Sequence, residues 1–296
     1  MRYRIIRGER NTLPVYPAQQ ISSAGEKTWI RRSKMNRKLI LILCDGMRSD
    51  SLEACGHPMA TWMQEHSLHT LQARTVMPSI TLPCIMSLCY SAQPERHGIF
   101  TLQYAQPLKP VEGIFEHLAR HGKQCTFYYD WEELSDLCRP GAVGEGTLTA
   151  SVFLSGGRFG YSRCDAENTE TMLRDTARYQ PDFVFLYLGD PDHQGHTEGW
   201  MSRPYLDSVS RCWDLIEAVH TRLGSAYTLL VTADHGGHAH THGEPIPEDM
   251  TIPIFCIGDG IPGAELKSAS ILDIAPTIAS ALQVPASPLW DGKALF

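Results

Sequence analysis

DFVFLYLGDPDHQGH, residues Asp182–His196, is the stretch on which the fold turns. It opens as an almost unbroken apolar run and closes, after one glycine, on a tight series of acids and histidines. An apolar run without alternation suits a strand buried on both faces of a parallel sheet, although a run this short also suits a buried helical turn. Its company favours the strand. Lys38–Cys44 (KLILILC), Gln124–Tyr129 (QCTFYY), Tyr227–Thr232 (YTLLVT) and Pro253–Ile257 (PIFCI) have the same character. Helix-length segments lie near 51–66, 81–90, 111–121, 165–179, 203–223 and 271–283. This alternation predicts an α/β fold: a doubly wound, mostly parallel central sheet with helices on both faces.

The 296 residues, 43% hydrophobic and 20% charged, are enough to bury a substantial core. Net charge is -7, unevenly spread: residues 1–38 hold ten Lys/Arg and two Asp/Glu, which leaves the remainder near -15. A broad basic face for duplex nucleic acid is therefore not expected. Residues 1–37, rich in Arg with scattered Pro, Ser and Gly, read as an extension outside the core, and Met35 is an alternative start. Residues 38–296 read as one domain, with a loop-rich insertion or cap near 131–162. The nine cysteines are odd in number, scattered and without a C-x-x-C pair, as expected of reduced thiols in a cytoplasmic protein. Leu39–Cys44 is far too short to span a membrane, and no membrane partner is expected.

Three of the expected strands run directly into acids and histidines. Cys44-Asp45-Gly46 ends the first, Gly189 to His196 follows the third, and Ala233-Asp234-His235-Gly236-Gly237 follows the fourth. The carboxyl ends of parallel strands share one edge of the sheet, which would gather these distant segments into one site. Seven of the 13 histidines fall between positions 190 and 242, mixed with Asp, a donor set suited to zinc or manganese. Taken singly, Asp45 reads as a turn residue, Asp234 as a helix cap, and His238 or His240 as solvated loop positions. The joint pattern outweighs those readings.

Asp45-Gly46 after an apolar strand, Thr81-Leu82-Pro83 within PSITLP, Pro94-x-x-His97-Gly98-Ile99, Asp192-x-x-x-His196, Asp234-His235-Gly236 and a later His242 occur in a characteristic order. The set resembles the nucleotide pyrophosphatase/phosphodiesterase branch of the alkaline phosphatase superfamily, over residues 39 to about 260. The resemblance implies an alkaline-phosphatase-like catalytic domain holding two divalent ions, zinc or alternatively manganese. Asp192, His196 and His242 would hold one ion, and Asp45, Asp234 and His235 the other, with the Thr81 oxygen bound to it. His242 is preferred to His238 and His240 because HTHGE resembles the family's terminal His-Gly. Thr81, at the start of a helix, would be the nucleophile toward a small phosphate ester or nucleotide, forming a phosphothreonine intermediate. By itself Thr81 reads equally as a helix N-cap.

The chain also departs from that family. An Asn that contacts a phosphate oxygen is expected after His-Gly-Ile, whereas Phe100-Thr101-Leu102-Gln103-Tyr104 stands here, with Thr101 or Gln103 as the substitute donors. Phosphonoacetate hydrolysis and phosphomonoester hydrolysis are the enzymatic alternatives. A mutase resembling the cofactor-independent phosphoglycerate mutases fits less well, since those use Ser, and a sulfatase lacks its Cys/Ser-x-Pro-x-Arg pattern here. A non-catalytic nucleotide sensor is the alternative of another class. Trp131, Tyr128, Tyr129 and Trp200 are candidates to stack on a base, with core packing as the commoner fate. Asp190 and Glu198 are candidates to orient the ligand histidines.

Overall fold

The computed structural model describes residues 38–107, 109–137 and 148–296. In chain order the strands are β1 (Leu39–Cys44), β2 (Leu68–Arg74), β3 (Cys125–Tyr129), β4 (Leu148–Phe153), β5 (Phe183–Leu188), β6 (Thr228–Thr232), β7 (Thr251–Ile257) and β8 (Ala264–Glu265). The helices are α1 (Ser51–Cys55), α2 (Pro58–His66), α3 (Thr81–Tyr90), α4 (Pro94–His97), α5 (Ile114–Arg120), α6 (Gly156–Phe159), α7 (Tyr161–Tyr179), α8 (Asp190–Glu198), α9 (Arg203–Leu223), α10 (Pro247–Met250) and α11 (Ile274–Ala281).

The eight strands among the described residues form one sheet in the order β4-β3-β5-β1-β6-β7-β2-β8. β1, β3, β4, β5 and β6 pair in parallel. The strand expected at Pro253–Ile257 is present as β7 but runs antiparallel to β6, and β2 runs antiparallel to β7. Two reversals restore the direction, so the carboxyl end of β2 shares an edge with those of β1, β5 and β6. The sequence LILILC is buried at every position because β1 is central, flanked by β5 and β6. This is an α/β architecture built on one mostly parallel sheet.

The structure also corrects local expectations. The segment 51–66 is two helices, because Gly56 takes a left-handed φ of 65° and Pro58 opens α2. Part of the stretch read as a loop-rich cap is the edge strand β4, whose LTASVF alternates half-buried and exposed positions. Residues 138–147 of that stretch, and the extension expected over 1–37, lie outside the described residues. The eight described cysteines are free thiols. Among the described residues no helix is long and apolar enough to cross a membrane.

Candidate metal centre

The carboxyl ends of the adjacent strands β5, β1 and β6 deliver the three acid-histidine segments to one place. Asp45 follows β1 directly, and Gly46 turns the chain with φ at 65°, a conformation that favours glycine. Its N–H donates to Asp234 Oδ1 at 3.2 Å, and its carbonyl accepts from Trp200 Nε1 at 3.0 Å and Tyr205 Oη at 2.9 Å. Trp200 lies against the faces of Gly195 and Gly237, where an added Cβ would come within 2.5 and 2.2 Å of its ring. Segments following β1, β5 and β6 are thereby locked together.

α8 was not expected from the sequence, since DPDHQGHTE has almost no apolar residue to set a periodicity. As a helix it places Asp192 and His196 one turn apart on one face, with Asp192 Oδ2 3.5 Å from His196 Nε2. His242 joins them: its Nε2 lies 3.1 Å from His196 Nε2 and 3.6 Å from Asp192 Oδ1. The second group is wholly buried. His235 Nε2 lies 3.3 Å from Asp45 Oδ1 and 3.4 Å from Asp234 Oδ2, all three residues being at most 2% exposed. The His235 and His242 rings stack at 3.8 Å, so the groups adjoin. Each of the two trios offers ligand atoms within 4.8 Å of one another.

Whether these residues suit cations is answered by their unmet valences. His196, His235 and His242 each turn Nδ1 to a main-chain carbonyl, of His240 at 3.0 Å, Gly236 at 2.7 Å and Ser79 at 2.8 Å. Donation there leaves every Nε2 as a lone pair facing the centre. Two such lone pairs at 3.1 Å repel unless something positive lies between them. Among the described residues, Asp45 Oδ1, Asp192 Oδ1 and Asp234 Oδ2 are buried and meet no hydrogen-bond donor. Burial, then the Asp234 and Asp192 carboxylates, holds Asp45 well above the usual carboxylate range, against the opposing pull of His235 and the Tyr187 hydroxyl. Burial pushes Asp234 up to about 7 and raises Asp192. Burial, and next His235, pushes His242 down to about 2. Three carboxylates and His242 that shed charge in isolation, beside two further imidazole lone pairs, fit a pair of divalent ions.

Thr81 faces the buried group, with Oγ1 3.0 Å from His235 Nε2. It is the first residue of α3, not its N-cap; Ile80 holds that place and supplies no capping side chain. The hydroxyl is thus committed to the centre, and the first N–H groups of α3 are left for an anion. A cavity of about 450 Å³ opens over Thr81, Asp45, Asp192, His196 and His242.

The remaining candidates divide. His238 is taken by Asp249 at 2.8 Å, and His240 Nδ1 reaches the His196 carbonyl at 3.1 Å. Of the four aromatics, Trp131 lines the cavity, while Tyr128, Tyr129 and Trp200 are packed in the core. Asp190 is paired with Arg211 at 2.7 Å, and Glu198 is exposed. From the loop after His97, Leu102 rather than Thr101 or Gln103 reaches the cavity wall. His97 is buried, with Nδ1 accepting from Ile99 N–H at 3.2 Å and Nε2 2.9 Å from Ser87 Oγ, a structural post between α3 and α4. Tyr161 and His193, stacked at 4.8 Å, also line the cavity and were not foreseen. Tyr187, whose hydroxyl donates to Asp45 Oδ2, was hidden inside an apolar strand.

Residues 39–246 match the family model described as Type I phosphodiesterase / nucleotide pyrophosphatase. A 2,3-bisphosphoglycerate-independent phosphoglycerate mutase of Desulforudis audaxviator is 32% identical over 138 residues, covering 44% of this chain and 26% of the mutase. The chain thus matches only about a quarter of the length of these curated relatives. Human ectonucleotide pyrophosphatase / phosphodiesterase 5 superposes with a TM-score of 0.72 at 15% identity, covering 86% of this chain and 97% of that one. An inactive threonine-to-alanine form of the murine protein, in complex with AMP, gives 0.69 at 14% identity, with 85% and 96% covered. A phosphonate monoester hydrolase from Silicibacter pomeroyi gives 0.64 at 15% identity, with 87% and 75% covered.

Proposed function

The chain belongs to the type I phosphodiesterase / nucleotide pyrophosphatase family, and we propose that it is a two-metal phosphoric ester hydrolase, acting on phosphodiesters or nucleotide pyrophosphates, with Thr81 as nucleophile. The observation that carries this reading is the convergence of three histidine lone pairs and three donor-less carboxylate oxygens around the Thr81 hydroxyl. Asp192, His196 and His242 would hold one ion, and Asp45, Asp234, His235 and Thr81 the other, with zinc the assignment and manganese the alternative.

Bound divalent ions would supply charge stabilisation of the phosphoryl oxygens and lower the proton affinity of the Thr81 hydroxyl. The chain does the rest. Thr81 Oγ1 attacks phosphorus, a P–O bond forms, and the bond to the leaving oxygen breaks, giving phosphothreonine and an alcohol or phosphate product. Water then cleaves the phosphothreonine bond and returns the Thr81 hydroxyl. The first turn of α3 directs unpaired N–H groups toward the anionic group. Trp131 and the Tyr161–His193 pair form the wall available to the substituent beyond the phosphate. The free thiols of the eight described cysteines support assignment to the cytoplasm.

The test is a panel of nucleotide diesters, dinucleotide pyrophosphates, phosphomonoesters and phosphonoacetate, each with zinc or manganese. Diester or pyrophosphate turnover is expected, and Thr81→Ala should lower it by roughly a thousandfold or more while two ions remain bound. Preferred turnover of phosphonoacetate or a monoester would overturn the substrate reading. Nucleotide binding without turnover of any of them would make the chain a sensor.

A further inference from the structure

Outside both metal trios, a second pair of acids is buried behind the cavity. Asp130 directly follows β3 and is 1% exposed; Asp165 lies in the second turn of α7 and is 2% exposed. Asp165 uses both oxygens on one target: Oδ1 accepts Gly189 N–H at 2.9 Å and Oδ2 accepts Asp190 N–H at 3.2 Å. Those are the cap and first residue of α8, and Gly189 has no side chain to cap the helix itself. A carboxylate borrowed from α7 fills that role and faces the favourable end of the helix dipole.

Asp130 explains how Asp165 is held. Neither Asp130 oxygen meets a donor among the described residues, and the group it contacts is the Asp165 carboxyl. Two buried acceptors stay together only with a proton between them. Because Asp165 already accepts two N–H groups, the proton belongs to Asp130. Burial, then Asp165, holds Asp130 well above the carboxylate range, whereas burial takes Asp165 to about 7. The same contact reaches the cavity wall. A Cβ on Gly189 would fall 2.7 Å from Asp130 Oδ1 and 2.9 Å from the Tyr161 ring, so acid pair, turn and wall are in close contact.

We propose that Asp165, backed by Asp130, is a positioning residue that fixes the start of α8, and through it Asp192 and His196 of the more exposed metal trio. This rests on the reading of Asp192, His196 and His242 as ligands. A side chain remote from the ion would then govern how long one of the two ions stays.

The full chain is loaded with zinc, and the release of each ion to a chromophoric chelator is followed in the wild type, Asp130→Asn and Asp165→Asn, beside kcat and KM. Asp130→Asn keeps an N–H donor toward Asp165 and should release both ions at wild-type rates. Asp165→Asn turns an amide N–H toward the Asp190 N–H and should speed release of one ion about tenfold or more, leaving the other unchanged. A merely structural pair would lower the melting temperature in both variants and leave release unaltered. Wild-type release from Asp165→Asn would overturn the proposal, and equal acceleration in both variants would overturn the placement of the proton. If Asp165→Asn is insoluble, Asp130→Val removes the donor alone, with one ion again expected to leave faster and unchanged release refuting the idea. Failure of the wild type to bind two ions would instead refute the underlying ligand reading.

Discussion

Stripping the metal with a chelator should destabilise the protein far more at pH 8 than at pH 5. The reason lies in the two carboxylates of the buried trio, held above their ordinary range by burial first, with Asp234 and Asp192 raising Asp45 further and Asp192 raising Asp234 against the hydrogen bond from Asp45. A carboxyl whose folded pKa is raised contributes stability below its unfolded pKa and loses it as pH rises through the folded one. For Asp234 the window runs from 3.8 to about 7. At 1.36 kcal/mol per pKa unit, the roughly two units of that window above pH 5 make the metal-free fold weaker at pH 8 than at pH 5 by about 3 kcal/mol through Asp234 alone. For a chain of this size that is roughly 5 °C of melting temperature. Bound divalent ions cancel the repulsion and should flatten the profile. Calorimetry at pH 5, 6.5 and 8, with zinc or with chelator, reads the difference directly. Asp234→Asn supplies the reciprocal sign: metal-free, it should be more stable than metal-free wild type at pH 8. Parallel melting profiles with and without chelator across this range would refute the reasoning.

Two further outcomes follow from the same geometry. Leu102→Asn places an amide on the cavity wall where the sequence lacks one, and should raise kcat/KM for a nucleotide diester about tenfold, the worth of a hydrogen bond to a charged group; an unchanged or lower value in steady-state kinetics would show that Leu102 does not face the phosphate. His97 is pushed by burial from 6.5 to about 4, so the stability it lends above the higher value is lost as pH falls through the lower one, about 3 kcal/mol in all. Urea midpoints for His97→Asn should therefore vary less between pH 6.5 and pH 4 than those of the wild type, and an identical pH dependence would count against it.

The five expected strands were legible because strands buried inside the sheet, parallel or, like β7, antiparallel, leave no polar alternation to confuse, as LILILC and FVFLYL show. β2 and β4 were not, since LHTLQAR and LTASVF sit toward the sheet edges and keep polar residues on one side. α8 was invisible to hydrophobic periodicity because the helix is set by its Pro191 near the start, by Asp165 from another helix and by what its face presents to the centre. The six acid and histidine positions could be gathered from the sequence because each follows a strand or a glycine turn at the same edge. Asp130 and Asp165 could not. An isolated acid after a strand and another within a helix carry no spacing signal; only the fold puts their carboxyls together.

The three histidines of the centre are oriented by main-chain carbonyls, of His240, Gly236 and Ser79, rather than by neighbouring side chains. Their tautomers are therefore inherited from the path of the backbone and do not depend on which residues surround them. Side chains at 102, 131 and 193 can then be exchanged in bulk or polarity without retuning the histidine tautomers. For an engineer this separates two searches: a library over the cavity wall explores new leaving groups against a fixed reactive core, and a change of backbone path is what would be needed to alter that core.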